Sequence, residues 1–211
     1  MSDKHICLVI PPSPFLLNER VFISLGILRV AAVLRQEHHN VEVLDLCGVK
    51  NTDDVLVAYS RLADKDTIFG ITATTPQLPS SIKVKNSIRR LLPNSKIILG
   101  GPHVSLVHAA YLSEKKKNII GRATRAVEQL KAIFDVSVAG DGEEAIFDAI
   151  KDDVPKIIDA ANPKSNLFLT SRQLSELPFP ARDLIDFSSY RHSIGSRNAT
   201  SVICQLGCPF G

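Results

Sequence analysis

The sequence predicts an α/β protein built on a doubly wound, parallel sheet of five strands. Three observations lead to this prediction. Short, almost continuously apolar segments recur between residues 6 and 139, they alternate with segments whose apolar residues have helical spacing, and turns rich in glycine or proline separate them. Strands that lack polar alternation are buried on both faces, which is typical of parallel strands covered by helices on each side.

Each element can be placed on the sequence in chain order. Five βα units in succession favour the flavodoxin-like strand order 2-1-3-4-5. The strands are expected at Ile6–Ile10, Val41–Leu46, Thr67–Thr72, Lys96–Leu99 and Asp135–Ala139. The helices are expected at Leu25–Gln36, Asp53–Ala63, Ser80–Leu92, Ala123–Phe134 and Glu143–Lys151.

The composition changes after residue 152, and we expect the α/β domain to span residues 1–152. Residues 153–198 are interpreted as a linker that wraps the surface of this domain. They include a possible short strand at Leu167–Thr170 and an extended stretch at Leu177–Leu184, where prolines interrupt regular structure. Residues 199–211 are interpreted as the start of a second domain, with Ala199–Cys204 as its first strand.

Composition excludes several classes of function. The 211 residues carry a net charge of only +3, which is too small to indicate nucleic-acid binding. No apolar run reaches membrane-spanning length, and the first residues lack a signal-peptide core. Four cysteines without the spacing of a disulfide scaffold fit a reducing compartment. We therefore expect a cytoplasmic protein with no nucleic-acid or membrane partner.

The candidate binding site lies in the loops that follow the strands, because open α/β sheets bind ligands beyond the carboxyl ends of their strands. None of these loops has the glycine pattern of a dinucleotide or triphosphate site. We expect the first, third, fourth and fifth strand ends to converge on one cleft. The corresponding loops are Pro11–Arg20, Thr72–Gln77, Gly100–Ser105 and Gly140–Glu143.

The sequence around Cys208 makes this cysteine a candidate metal ligand. Cys208 stands in the context Gly-Cys-Pro-Phe, and Cys204 precedes it by four residues. Thiolates are the usual ligands of iron–sulfur clusters, and this context resembles the first ligand of a radical-SAM cluster loop. The resemblance implies that Cys208 is a metal ligand and that the sequence stops one residue before the second thiolate. The alternative is that both cysteines are ordinary reduced thiols.

Taken in order, the loops and the terminal motif resemble the N-terminal cobalamin-binding domain of cobalamin-dependent radical-SAM proteins. The resemblance implies that the nucleotide tail of cobalamin passes between the third and fourth loops and that the corrin lies over the carboxyl edge of the sheet. It also implies an absent radical-SAM barrel as partner, which would bind the iron–sulfur cluster and S-adenosylmethionine and make the full-length protein a methyltransferase or cyclase type of enzyme. The implied cofactor-binding residues are Pro12, Glu19, Arg20, Thr72, Thr74, Gly100, Gly101, Pro102, His103, Gly140, Asp141, Gly142 and Glu143.

One departure from many cobalamin domains affects the cobalt ligand. The first loop has no D-x-H-x-x-G sequence and no histidine. Imidazole is a common ligand of such metals, so we expect cobalamin to bind base-off without a protein imidazole. We also expect that Gly101→Leu abolishes cobalamin retention and leaves the fold largely intact. No residue of the chain has the character of a general acid, base or nucleophile, and we expect the chain alone to be inactive.

Simpler interpretations of the same residues stay open. Gly100 and Gly101 suit a tight turn, His103 suits a surface cap, Glu19 with Arg20 suits a surface ion pair, and Glu143 suits the first turn of any helix. An alternative function is a cofactor-free regulatory or interaction module of a radical-SAM protein. A flavin or nucleotide-sugar domain is a third possibility, although the proline-rich first loop does not suit a phosphate-binding helix start.

The 211-residue chain should not assemble an iron–sulfur cluster, whereas a version extended through the whole loop should. Stable clusters are normally held by several cysteines, and Cys208 supplies one. Anaerobic reconstitution with iron and sulfide, followed by iron counting and visible spectra, checks both. A stable stoichiometric cluster on the 211-residue chain would contradict this interpretation of the motif.

Overall fold

A computed structural model describes residues 4–202. In this range the strands are β1 (His5–Ile10), β2 (Asn40–Asp45), β3 (Ile68–Thr72), β4 (Ile97–Gly100), β5 (Val136–Ala139), β6 (Ile157–Asp159), β7 (Ser193–Ile194) and β8 (Arg197–Asn198). The first six form one sheet in the order β2-β1-β3-β4-β5-β6, and every neighbouring pair is parallel. β7 and β8 form a separate antiparallel pair.

Helices connect the strands of the sheet and continue into the C-terminal segment. The α-helices of the described residues are α1 (Leu25–Gln36), α2 (Thr52–Ser60), α3 (Leu78–Leu91), α4 (Pro102–Lys116), α5 (Arg122–Ile133), α6 (Gly142–Ala149) and α7 (Ser171–Glu176). Short 3-10 turns lie at Thr75–Gln77, Arg182–Leu184 and Phe187–Ser189.

The sheet is buried on both faces, as its apolar strands predict. Successive side chains of a strand point to opposite faces. In β1, Ile6 and Leu8 pack against α1 and α6 in one core cluster. Cys7 and Val9 face the other way and join a second cluster with residues of α2, α3 and α5. Each face therefore has its own apolar core, and the strand ends are free to build a site.

The predicted doubly wound parallel sheet is confirmed, and α1 has the predicted bounds. The sheet has six strands instead of five because β6 pairs with β5 at the edge. A short edge strand inside a polar segment gives little sequence signal. Helix α4, which starts directly after the Gly100-Gly101 turn, was not predicted from the sequence. Pro102 occupies the first turn of that helix, a position where proline is favoured.

The segment predicted as a linker differs from the prediction in several places. It contains β6, α7 and the antiparallel pair of β7 and β8, and its residues 167–170 are not a strand. Residues 199–202 of the predicted strand Ala199–Cys204 are not in a strand, and the rest of it lies outside the described residues. Across residues 4–202 we find no helix with the length and hydropathy needed to cross a membrane.

The corner between α4 and α5 is held by one carboxylate. Glu114 near the end of α4 accepts hydrogen bonds from the backbone N–H groups of Gly121, Ala123 and Thr124 at 3.1, 3.0 and 2.8 Å, and from the Thr124 hydroxyl at 2.7 Å. These donors are the otherwise unpaired groups at the start of α5. The hydrogen bonds from Thr124 lower the pKa of Glu114 to about 2.

Replacing this carboxylate should destabilise the fold in a pH-dependent manner. The pKa of Glu114 falls from 4.5 to about 2 on folding, so its contribution is complete above pH 4.5 and is lost as the pH falls toward 2. Glu114→Gln should lower the urea midpoint at neutral pH. The difference in urea midpoint between the variant and wild type should disappear as the pH falls from 4.5 to about 2. Glu128→Gln is the control, because Glu128 makes only an exposed ion pair with Lys131. A difference in urea midpoint that stays constant down to pH 2 would contradict the stabilising role of the ionised Glu114 carboxylate.

Candidate functional site

A cleft of about 460 Å³ opens at the carboxyl edge of the sheet, beside β1. The strand order places β1 between β2 and β3, so the loops that follow these three strands adjoin. Several apolar side chains between β1 and α1 stay exposed at the cleft, including Phe15 and Leu16 of the first loop and Phe22 just after it. The lining residues are Ile10, Ser13, Phe15, Leu16, Glu19, Phe22, Ser24, Cys47, Thr74, Pro76, Gln77 and Tyr190.

A buried glutamine joins the first loop to the third. The Gln77 amide nitrogen donates to the Ser13 hydroxyl at 2.6 Å and to the Pro11 carbonyl at 3.3 Å. Its carbonyl oxygen accepts from the Thr74 backbone N–H at 3.0 Å and from the Thr74 hydroxyl at 2.9 Å. Glu19 closes the first loop on itself by accepting the Ser13 N–H at 2.5 Å. The loop therefore has a defined conformation although it is long and rich in proline.

Arg20 is engaged inside the protein. Its guanidinium donates to the carboxylate of Asp45, the last residue of β2, at 3.1 Å, and to the Cys47 carbonyl just beyond that strand at 2.8 Å. It also donates to the Ser189 hydroxyl at 2.5 Å, in the C-terminal segment. Arg20 and Glu19 thus have separate partners, which differs from the surface ion pair that the sequence left open.

Cys47 brings a thiol to the cleft wall. Burial, together with the neighbouring Asp45 carboxylate, raises the pKa of Cys47 to about 12. Its sulfur lies 3.8 Å from the Pro11 carbonyl. The side chain is a neutral thiol at physiological pH and contributes apolar surface.

The two adjacent glycines after β4 have different surroundings. Gly101 has φ +95°, and a Cβ atom there would lie 2.9 Å from the Ala73 nitrogen and 2.7 Å from the Thr72 hydroxyl oxygen. The expectation that Gly101→Leu leaves the fold intact is therefore wrong, because this glycine packs against protein backbone. At Gly100 a Cβ atom would meet nothing within 4 Å. Of this pair, Gly100 is therefore the position with open space around a Cβ atom.

His103 follows this turn in the first turn of α4. Its backbone N–H donates to the Ala73 carbonyl at 2.9 Å, and its Nδ1 lies 3.1 Å from the Thr75 hydroxyl. The ring is buried, and burial lowers the pKa of His103 below its usual value. His103 is neutral at physiological pH and ties the third loop to the fourth, while Pro102 beside it is exposed.

The fifth loop is held by contacts within the protein. Gly140 has φ +92°, and a Cβ atom there would lie 2.4 Å from the Ala161 nitrogen. Asp141 is the N-terminal cap residue of α6, and burial raises the pKa of its carboxyl. Gly142 follows in the first turn and packs close to Val30.

Glu143 is buried against α1. Its carboxylate lies 3.3 Å from Nε of Arg29, and both side chains are less than 10% exposed. Burial raises the pKa of Glu143, and the Arg29 charge opposes that shift. The pair joins α1 to α6 beneath the edge, so Glu143 has a structural partner.

The structure brings together part of the predicted site. Of the predicted residues, Glu19 and Thr74 line the cleft, whereas Pro12, Thr72 and the residues of the fourth and fifth loops do not. Sequence reasoning missed Gln77, Cys47 and Tyr190. The pattern Thr-x-x-Gln at Thr74 and Gln77 is a capping-box signal that pointed to the first of these. Nothing local marked Tyr190, which is distant in sequence.

The chemistry of the cleft is that of a binding site. Within residues 4–202, no three side chains of histidine, cysteine, aspartate or glutamate are grouped so that they could hold a metal ion. Cys208, the predicted metal ligand, lies outside the described residues, as does Cys204. The lining consists mainly of apolar side chains with a few polar groups, as is common in pockets for small molecules and cofactors.

Comparison with known proteins finds similarity to a curated sequence and to a solved structure. The chain is 25% identical over 215 residues to the uncharacterized methyltransferase PH0819 of Pyrococcus horikoshii, with coverage of 100% of this chain and 44% of the relative. It also resembles the structure of TsrM from Kitasatospora setae, a radical S-adenosylmethionine methyltransferase solved with tryptophan and an analogue of S-adenosylmethionine. The TM-score is 0.50 at 17% identity, over 70% of this chain and 25% of TsrM, so this likeness concerns the fold. The chain spans less than half the length of either protein.

The B12 binding domain model matches residues 19–131, which include β2, β3, β4 and the loops that follow these strands. This match covers more than half of the chain. The chain therefore belongs to the family of B12-binding domains.

Proposed function

We propose that this chain binds cobalamin over the carboxyl edge of its sheet and serves as the accessory domain of a radical-SAM enzyme of the methyltransferase type. The observation that carries the proposal is the open position at Gly100 in a chain of the B12-binding family. Apart from the chain neighbours, no protein atom would lie within 4 Å of a Cβ atom there, so packing around that atom does not require a glycine. Space kept free above the sheet edge is what a ligand that approaches backbone needs.

The cleft fits a corrinoid in its surface chemistry. A corrin is a broad ring with largely apolar faces and amide side chains at its rim. Phe15 and Phe22 are 49% and 61% exposed at the cleft, although large aromatic residues are usually buried. Exposed aromatic surface at the mouth of a cleft is typical of a ligand site.

The residues of this chain would hold and insulate the cofactor. Thr74 offers a hydroxyl at the cleft, and Gly100 offers backbone next to the third loop. Phe15, Leu16 and Phe22 would exclude water from one side of the ring. When bound, cobalamin supplies methyl-carrier chemistry, and the protein supplies position and a dry environment.

We extend the proposal to the whole protein from the relatives. PH0819 carries the name methyltransferase, and TsrM is titled as a radical S-adenosylmethionine methyltransferase. A longer form of this protein would bind the iron–sulfur cluster through Cys208 and S-adenosylmethionine in a radical-SAM barrel that begins near residue 199. Residues 153–198 would connect the two domains, and the enzyme would act in the cytoplasm.

A second candidate function is a cofactor-free interaction module. One observation favours it, namely that several predicted site residues have partners within the protein. Gly101 and Gly140 pack against backbone, and Arg20 and Glu143 are engaged with Asp45 and Arg29. Such contacts would be retained in a domain that kept its fold but no longer bound a cofactor. Cobalamin retention separates the two functions.

The wild-type chain should retain hydroxocobalamin after desalting, and Gly100→Leu should lose it. The added side chain enters space that is open in the protein alone and blocks a ligand that approaches the Gly100 backbone. Its melting temperature should match that of wild type, because no protein atom lies within 4 Å of the new Cβ atom. Visible spectra measure cobalamin retention, and circular dichroism melts measure the melting temperature.

The neighbouring glycine provides the matched control. Gly101→Ala should lower the melting temperature, since its Cβ atom would lie 3.0 Å or less from Thr72 and Ala73 atoms. Retention of cobalamin by a folded Gly100→Leu variant would exclude a ligand contact at Gly100. Failure of the wild-type chain to retain cobalamin would favour the cofactor-free module.

Bound cobalamin should be base-off and without a protein nitrogen on cobalt. Residues 11–24 contain no histidine. The ring of His103 is buried against Thr75 beyond β4. Electron paramagnetic resonance of the cob(II)alamin complex should lack superhyperfine splitting from an axial nitrogen. Such splitting in the wild-type complex would show that an imidazole reaches cobalt.

A further inference from the structure

The C-terminal segment from Asp186 to His192 lies across the first loop and contributes Tyr190 to the cleft wall. We propose that Tyr190 is a cofactor-contacting residue and that Arg20 and Asp45 position its ring. The inference rests on the proposed cobalamin site and adds a residue to it from outside the region matched by the family model, which ends at residue 131.

The hydroxyl of Tyr190 is fixed at the end of β2. It donates to Oδ2 of Asp45 at 2.7 Å, the same oxygen that lies 3.1 Å from the Arg20 guanidinium. The Asp45 side chain is 9% exposed, so this carboxylate is largely removed from water. Hydrogen bonds to a charged and buried acceptor are among the stronger ones in proteins. The hydroxyl end of the tyrosine is therefore held, and the body of the ring is left to face the cleft.

Arg20 supports the same ring from another side. The centre of its guanidinium lies 5.5 Å from the centroid of the Tyr190 ring, a distance typical of a cation–π contact. It also donates to the Ser189 hydroxyl, and that hydroxyl donates to the Asp186 carbonyl at 2.7 Å. One arginine of the first loop thereby contacts two successive residues of the C-terminal segment.

Backbone and aromatic contacts extend the attachment. The Arg191 N–H donates to the Arg20 carbonyl at 2.8 Å. The rings of Phe22 and His192 lie 4.8 Å apart with their planes at 47°. The 3-10 turn Phe187–Ser189 is closed at its start by Asp186, whose carboxylate accepts the Ser188 N–H at 3.1 Å. The segment thus meets the first loop at a series of neighbouring residues.

This attachment couples the cleft to a distant part of the sequence. The first loop forms one wall of the cleft, and Arg20 of this loop and Phe22 just after it hold the segment. A ligand that contacts both Tyr190 and the first loop stabilises the docking of the C-terminal segment on that loop. By thermodynamic linkage, docking of the segment then raises the affinity for the ligand by the same factor. An aromatic ring with an anchored hydroxyl suits the apolar face of a flat macrocycle.

Cobalamin titration of four forms of the 211-residue chain tests the contact. Tyr190→Ala should bind hydroxocobalamin about tenfold more weakly, as is common when an aromatic anchor is truncated. Tyr190→Phe keeps the ring and loses its anchor, and its affinity should lie between those of Tyr190→Ala and wild type. Phe179→Ala is the matched control, since Phe179 belongs to the same C-terminal region, is 94% exposed and does not line the cleft. Its affinity should equal that of wild type.

Hydrogen–deuterium exchange of the wild-type chain gives a measurement that needs no variant. Adding hydroxocobalamin should slow exchange of the amides of residues 186–192 and leave those of α7 unchanged. If Tyr190→Ala does not fold, this measurement alone decides the inference. Equal affinity of a folded Tyr190→Ala variant, or unchanged exchange of residues 186–192 in a cobalamin-bound chain, would overturn the role of Tyr190 only. A wild-type chain that binds no cobalamin would overturn the proposed function and this inference with it.

Discussion

The close approach of Gly101 to Ala73 determines the shape of the carboxyl edge. The Ala73 N–H donates to the Gly100 carbonyl at 3.0 Å, and the Ala73 carbonyl accepts from the His103 N–H at 2.9 Å. Both bonds require the chain after β4 to pass directly against the chain after β3, which only a residue without a Cβ atom allows at this positive φ. The start of α4 and the burial of His103 follow from this contact.

The first loop depends on a different set of interactions. Gln77 fixes it to the third loop from one side, and Arg20 fixes it to Asp45 from the other. A long loop rich in proline has few backbone donors of its own, so side chains must determine its conformation. The same arginine reaches Ser189, and the position of the C-terminal segment therefore depends on the conformation of the loop that lines the cleft.

Sequence reasoning predicted the sheet and the loops well because both depend on local patterns. Continuous apolar strands and helical spacing are properties of a few residues, and they located five strands and the exact bounds of α1. The roles of individual residues were harder to predict. The partner of Glu143 is Arg29, and the partner of Tyr190 is Asp45. Contacts between residues more than a hundred positions apart leave no mark on the local sequence.

The ionisable groups at this edge are engaged in contacts within the protein. Glu19 accepts the Ser13 N–H, Arg20 is paired with Asp45, and burial keeps the His103 ring neutral. Groups engaged in this way are poor proton donors or acceptors for a substrate, because each transfer would break an internal contact or charge a buried ring. What remains accessible is apolar surface, hydroxyls and the backbone at Gly100. The proposed binding of a large cofactor depends on these accessible groups, because the cofactor would supply the reactive centre and the protein would supply its position.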